Sequence, residues 1–164
     1  MLTLLILRHA KSGRDNPYLT DHDRILDERG LREAPLMGHV LAKEHLVPDL
    51  ILSSTAKRAL HTAELAASAS GYHHKIKTDR LIYESQRETL IHVLSQTPDD
   101  CHSVLLVGHN PDLEILVEAL TRESVELSTA TLVQLALPIK QWSELTLSIK
   151  AKIKNIWRPK DIVG

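Results

Sequence analysis

The chain has 164 residues, 43% of them hydrophobic, and a formal net charge of −1 with its ten histidines counted as neutral. That length favours one hydrophobic core, so a single domain over residues 1–164 is expected, and the apolar content suits a packed chain rather than a disordered one. The near-zero charge provides no broad basic field, which argues against nucleic-acid binding and points to small molecules or proteins as partners.

The one cysteine, Cys101, excludes an intramolecular disulfide and fits a reducing compartment. Met1 opens onto an apolar run that Arg8 ends after six residues. That is too short for a signal-peptide core or a membrane span, so a cytoplasmic location away from membranes is expected. The scattered histidines, His73-His74 included, lack the ligand spacing of a dedicated metal site, so neither a metal nor another cofactor is expected.

Taken in chain order, Leu2 to Leu7 reads as a strand buried on both faces. Leu31 to Leu46 is a helical pattern that Pro35 kinks or begins. Leu50 to Ser53 is a second buried strand, and Thr55 is placed to cap a helix over Ala56 to Ala69, a stretch rich in alanine and leucine. A weaker strand covers Lys75 to Thr78. Ser85 with Glu88 has the form of a capping box. Val104 to Val107 is another buried strand, followed by Asn110 as N-cap, Pro111 at the first helical position and Asp112 in the first turn. Thr131 to Leu137 reads as a further buried strand. Leu145, Leu147, Ile149, Ala151, Ile153 and Ile156 nearly alternate with polar residues, as in a half-exposed strand or hairpin. Strands alternating with helices imply an α/β layer architecture with a largely parallel sheet.

In open α/β sheets ligands bind beyond the carboxyl ends of the strands. Three such ends carry distinctive residues: Arg8-His9 after the first strand, Arg58 after the second, and Gly108-His109-Asn110 after the strand ending at Val107. Two histidines and two arginines would meet at one edge, with no carboxylate in these three stretches. A neutral imidazole can attack phosphorus while guanidinium forks and backbone N–H groups hold the charged oxygens. Lysine and arginine at the start of the helix after Thr55 oppose the helix dipole, which a bound anion would offset.

Arg8-His9-Ala10-Lys11-Ser12 resembles the Arg-His-Gly motif of the histidine phosphatase superfamily, also called phosphoglycerate-mutase-like. The alanine at position 10 is similar to the SixA-type phosphohistidine phosphatase branch. Asp23-Arg24 with Leu26 and Gly30, Asp49 to Arg58 through Thr62-Ala63-Glu64, Tyr83-Glu84, and Val107 to Pro111 follow in that branch's order. The resemblance covers about Leu2 to Leu120, and more loosely extends to Trp157-Arg158-Pro159. It implies a three-layer α/β/α sandwich with a mostly parallel central sheet. It also implies that His9 becomes phosphorylated during turnover and that Arg8, Arg58 and a protonated His109 form the phosphate pocket. Loss of any one member would cost on the order of 2–4 kcal/mol. Arg24 is either an additional phosphate contact or a loop arginine paired with Asp21 or Asp23. Asn110 joins the substrate-binding set. Glu84 matches the family's proton donor, and can equally be read as a carboxylate beside a helix N-terminus.

Only 25 positions separate Glu84 from His109, room for a helix and a strand but not for an inserted cap. An open, shallow site would admit a phosphorylated side chain on another protein. Three functions stay open at this stage: a protein phosphohistidine phosphatase, a small-molecule phosphomonoesterase or mutase, and a phosphate-binding module without turnover. The co-occurrence of both histidines and both arginines disfavours the last.

Overall fold

Strand β1 (Leu2–Arg8) is an almost unbroken apolar run because both of its faces are covered. Leu4 and Ile6 enter one core, and Leu5 and Leu7 enter the core on the opposite face. The same period of two divides β4 (Ser103–Gly108), with Val104 and Leu106 on the first face and Leu105 and Val107 on the second. In the computed structural model, which describes residues 1–162, these strands lie at the centre of one sheet.

The sheet has six strands in the order β3-β2-β4-β1-β5-β6, with β2 at Leu50–Ser53, β3 at Ile76–Thr78, β5 at Leu132–Leu137 and β6 at Lys152–Trp157. Strands β3, β2, β4 and β1 pair in parallel, and β5 and β6 add antiparallel. Helices α1 (Glu28–Lys43) and α2 (Lys57–Ser70) cover one face through Ala34, Met37, Leu41, Ala59, Ala63 and Ala66. Helices α3 (Arg87–Ser95) and α4 (Asp112–Thr121) cover the other through Leu90, Leu94, Leu113 and Leu116. A short α5 (Pro159–Ile162) follows β6. This is the expected three-layer α/β/α sandwich with a mostly parallel sheet. No described helix is long and apolar enough to cross a membrane.

Several local expectations are corrected. Helix α1 starts earlier than Leu31: the Asp27 side chain accepts a hydrogen bond from the Gly30 N–H, and Pro35 lies inside the helix. The caps expected from Thr55, Ser85 and Asn110 are not formed, because the N-cap positions of α2, α3 and α4 fall to Ala56, Gln86 and Pro111, without a side-chain cap bond. Each of the three side chains is instead engaged across the fold: Thr55 with His22 at 2.8 Å, Ser85 with Asp112 at 3.0 Å, and Asn110 with the Leu127 carbonyl at 2.7 Å. Strand β5 is less evenly buried than expected, since Gln134 and Ala136 are only half-buried. The alternation beginning at Leu145 becomes a strand only from Lys152, after a short 3-10 turn at Trp142–Glu144.

Candidate active site

The carboxyl ends of β1, β2 and β4 converge as expected. His9 leaves β1 with its N–H donated to the Gly108 carbonyl at 3.0 Å, which ties the end of β1 to the end of β4. The next peptide is fixed from α2: the Ala10 N–H donates to Thr62 Oγ1 at 3.0 Å, and that hydroxyl donates to the Arg58 carbonyl at 2.7 Å. Ala10 and Thr62 are fully buried. The loop carrying His9 is thereby fastened to the helix carrying Arg58.

His9 and His109 are 7% and 6% exposed, with ring centroids 5.2 Å apart. His9 Nδ1 lies 2.7 Å from the Ala10 carbonyl oxygen. A carbonyl only accepts, so Nδ1 carries the proton and Nε2 keeps the free lone pair. Burial, with Arg58, Arg8 and Arg24 nearby, pushes the His9 pKa down to about 4. The imidazole is therefore neutral at physiological pH, the state a nucleophile needs.

His109 is held by Ser54, whose Oγ lies 2.8 Å from Nε2, while Nδ1 is buried without a hydrogen-bond partner. Burial, the proximity of His9 and the cation Arg58 push its pKa down to about 3. The ring of His109 is thus neutral here, whereas the sequence expectation of a protonated His109 concerns the ring bound to an oxyanion. Burial is the largest cause, and the Arg58 and Arg8 guanidinium groups add to it by disfavouring a further positive charge beside them.

A cavity of about 340 Å³ gathers Arg8, His9, Arg24, Arg58, Glu84, His109 and Asn110, all the residues singled out from the sequence. Their surroundings differ. Arg8 Nη1 donates to the Leu127 carbonyl at 3.0 Å, and Asn110 Nδ2 donates to the same oxygen at 2.7 Å. Arg24 is paired with Asp21, as its loop reading expects, donating to Asp21 Oδ1 at 3.1 Å and to Ser12 Oγ at 2.7 Å, and it also lines the cavity. Glu84 is exposed at the rim.

Sequence reasoning missed Asp21, Ser54 and Asp112 as site residues. Asp21 accepts hydrogen bonds from Arg58, Arg24 and Tyr83, and these bonds hold its carboxyl well below the usual carboxylate range. Tyr83, noted only as part of a motif, packs its ring against His22 and His109 at centroid distances of 4.8 and 5.6 Å. Asp112 lines the cavity, and burial pushes its carboxyl up. The run Asp21-His22-Asp23-Arg24 was the available signal for Asp21, since alternating charges in a loop can mark a site as readily as a solvated surface.

The comparisons with known proteins agree with this geometry. An uncharacterized protein of Mycobacterium leprae is 34% identical over 118 residues, covering 70% of this chain and 71% of its own length. A 2,3-bisphosphoglycerate-dependent phosphoglycerate mutase of Leifsonia xyli is 39% identical over 69 residues, covering 41% of this chain and 28% of the mutase. A crystal structure from Agrobacterium tumefaciens, assigned as phosphohistidine phosphatase SixA, superposes with a TM-score of 0.78 at 28% identity, covering 96% of this chain and 99% of that one. Residues 4–87 match the family model of the histidine phosphatase superfamily, branch 1. With Arg8-His9 and Arg58 inside the matched segment and His109 brought to them by β4, the chain belongs to that superfamily and is a phosphatase or a mutase.

Proposed function

We propose that the protein removes phosphate from phosphohistidine on another protein, through a phosphorylated His9. The observation that carries this reading is the state of His9: neutral, with Nδ1 committed to the Ala10 carbonyl and Nε2 free, in a pocket with Arg8, Arg58 and His109. In the first step Nε2 attacks phosphorus, the bond from phosphorus to the substrate imidazole breaks, and its electron pair stays on the departing nitrogen. That ring leaves as neutral imidazole when the phosphohistidine reacts in its imidazolium form, with a proton on the other ring nitrogen. Water then attacks the phosphoryl group on His9, releasing inorganic phosphate and restoring the neutral imidazole.

The arginines act on the equatorial oxygens, where charge-assisted bonds to a dianion are strongest. His109, kept neutral by burial and by the neighbouring cations, gains a proton from solvent as the dianion arrives, because the negative charge favours the imidazolium. A protein substrate is supported by the short span between Glu84 and His109, occupied only by α3, β4 and their connections, with nothing inserted over the pocket.

Rapid acid quench and base quench with a phosphohistidine-containing protein and with sugar phosphates test the proposal. The expected result is a base-stable, acid-labile phosphoryl label on wild type, absent from His9→Ala, with faster turnover of phosphohistidine. Faster turnover of sugar phosphates would establish the small-molecule reading instead. No label from either substrate would remove the enzymatic mechanism.

A further inference from the structure

The phosphate pocket is not the largest cavity. Beside it lies an open one of about 540 Å³, and Arg8 and Asn110 line both. Arg8 and Asn110 are anchored to one acceptor, the Leu127 carbonyl, at 3.0 and 2.7 Å, so the partition between the cavities is fixed. The outer walls come from the start of α1, from α4, from residues 126–128 and from the segment after β6.

The lining is charged and unbalanced. Arg8, Arg29, Arg158 and Lys160 face Glu114 and Glu126. Glu114 is occupied by the Leu127 N–H at 2.8 Å, and Arg29 is paired with Glu33 at 3.1 Å. Arg158 is held by a bond from Nη2 to the Glu126 main-chain carbonyl at 3.0 Å. Among the described residues neither Arg158 nor Lys160 takes part in an ion pair. A local surplus of positive charge on a chain of net charge −1 marks a surface for a negative partner.

We infer that this groove docks an acidic polypeptide segment flanking the phosphorylated side chain, the segment contacting Arg158 and Lys160 while the phosphoryl group reaches His9 across the Arg8-Asn110 partition. The inference rests on the phosphohistidine reading and names the kind of protein substrate that fits it. A side chain reaching into the phosphate pocket must continue into main chain outside it, and the adjoining groove is the larger, open space. Its charged lining suits a solvated, carboxylate-bearing segment better than an apolar one.

Turnover of three phosphohistidine peptides with aspartate-rich, serine-rich or lysine-rich flanks, alongside phosphoramidate, tests the groove in wild type, Arg158→Gln and Lys160→Gln. The acidic peptide should lead the lysine-rich one in kcat/KM by about three- to tenfold, the range of one to a few exposed charge pairs. The lead should reside in KM, shrink in either variant, and disappear at about 1 M salt. Phosphoramidate turnover should be unchanged in both variants. Lys160 is exposed, so its variant tests the charge without disturbing the packed fold.

Equal turnover of all three peptides, or a preference that survives both substitutions, would overturn the groove while leaving the phosphohistidine reading standing. No turnover of phosphoramidate or of any peptide by wild type would remove the phosphohistidine reading, and the groove proposal with it.

Discussion

Asp21 holds Arg58 from two sides: its main-chain carbonyl accepts from Nη1 at 2.6 Å, and its carboxylate Oδ2 accepts from Nη2 at 3.1 Å. The arginine side chain is 6% exposed and the aspartate side chain 56%. The carboxylate thus reaches Arg58 from the solvent side, where an incoming phosphate also seeks it. Asp21→Asn keeps the main-chain bond and removes the competing charge. Inhibition constants for inorganic phosphate and tungstate should fall about threefold, corresponding to a screened interaction of ~0.7 kcal/mol. An inhibition constant that rises would mean that the carboxylate orients Arg58 more than it competes for it.

The depressed pKa values of His9 and His109, about 4 and about 3, set the acid limb of activity. Transfer to His9 should persist well below pH 6.5, the ordinary histidine midpoint, and be lost only near pH 4, when Nε2 takes up a proton. The same shifts couple to folding. Both histidines bind protons more readily unfolded than folded, so their contribution to stability is present above pH 6.5. It declines as pH falls toward the folded values. Urea unfolding at pH 7 and pH 4.5 should show the loss, and a His9→Asn, His109→Asn double variant should show less of it. Asp21 titrates below this window, so it does not contribute to the difference.

The parts of the fold that were legible are those where one physical constraint dominates. Leu2 to Leu7 and Val104 to Val107 are covered on both faces, which leaves an apolar run that no helix period explains. The helix starts were less legible because Thr55, Ser85 and Asn110 have the right chemistry for caps but spend it on His22, Asp112 and Leu127. Two of those partners, Asp112 and the Leu127 carbonyl, belong to the site or its immediate support. Local rules thus failed where the fold gathers polar groups around the candidate site. Asp21 was missed for a related reason: its partner Tyr83 lies 62 positions away, and only the folded loop brings them to 2.7 Å.

Thr62 connects the loop carrying His9 to α2, accepting from the Ala10 N–H and donating to the Arg58 carbonyl while fully buried. Thr62→Val keeps the shape and leaves the Ala10 N–H without a partner. The expected cost is ~1–3 kcal/mol of unfolding free energy, the penalty for an unsatisfied buried donor. The label on His9 should form more slowly while KM for phosphoramidate changes little, because the substitution loosens the attacking group rather than the arginines. Stopped-flow quench against urea melts separates the two effects. Unchanged stability would show that the Ala10 N–H finds another acceptor.

Glu84 bears on the choice of substrate because the two leaving groups differ in their need for a proton. A phosphohistidine that reacts in its imidazolium form expels a neutral ring without a further proton, whereas an alcohol departing from an ester must be protonated or leave as an alkoxide. Glu84 is exposed and lines the pocket, and the proposed mechanism for an ester would use it as the proton donor to the leaving group. Glu84→Gln should therefore slow hydrolysis of a phosphate monoester by about 10²-fold or more, the usual scale of a lost general acid, and slow that of phosphoramidate far less. Comparing kcat/KM for the two substrates in wild type and Glu84→Gln checks the argument. Equal losses in kcat/KM would overturn the leaving-group argument, whereas a fall in kcat with kcat/KM unchanged would place Glu84 in the second step, activating the water that frees phosphate from His9.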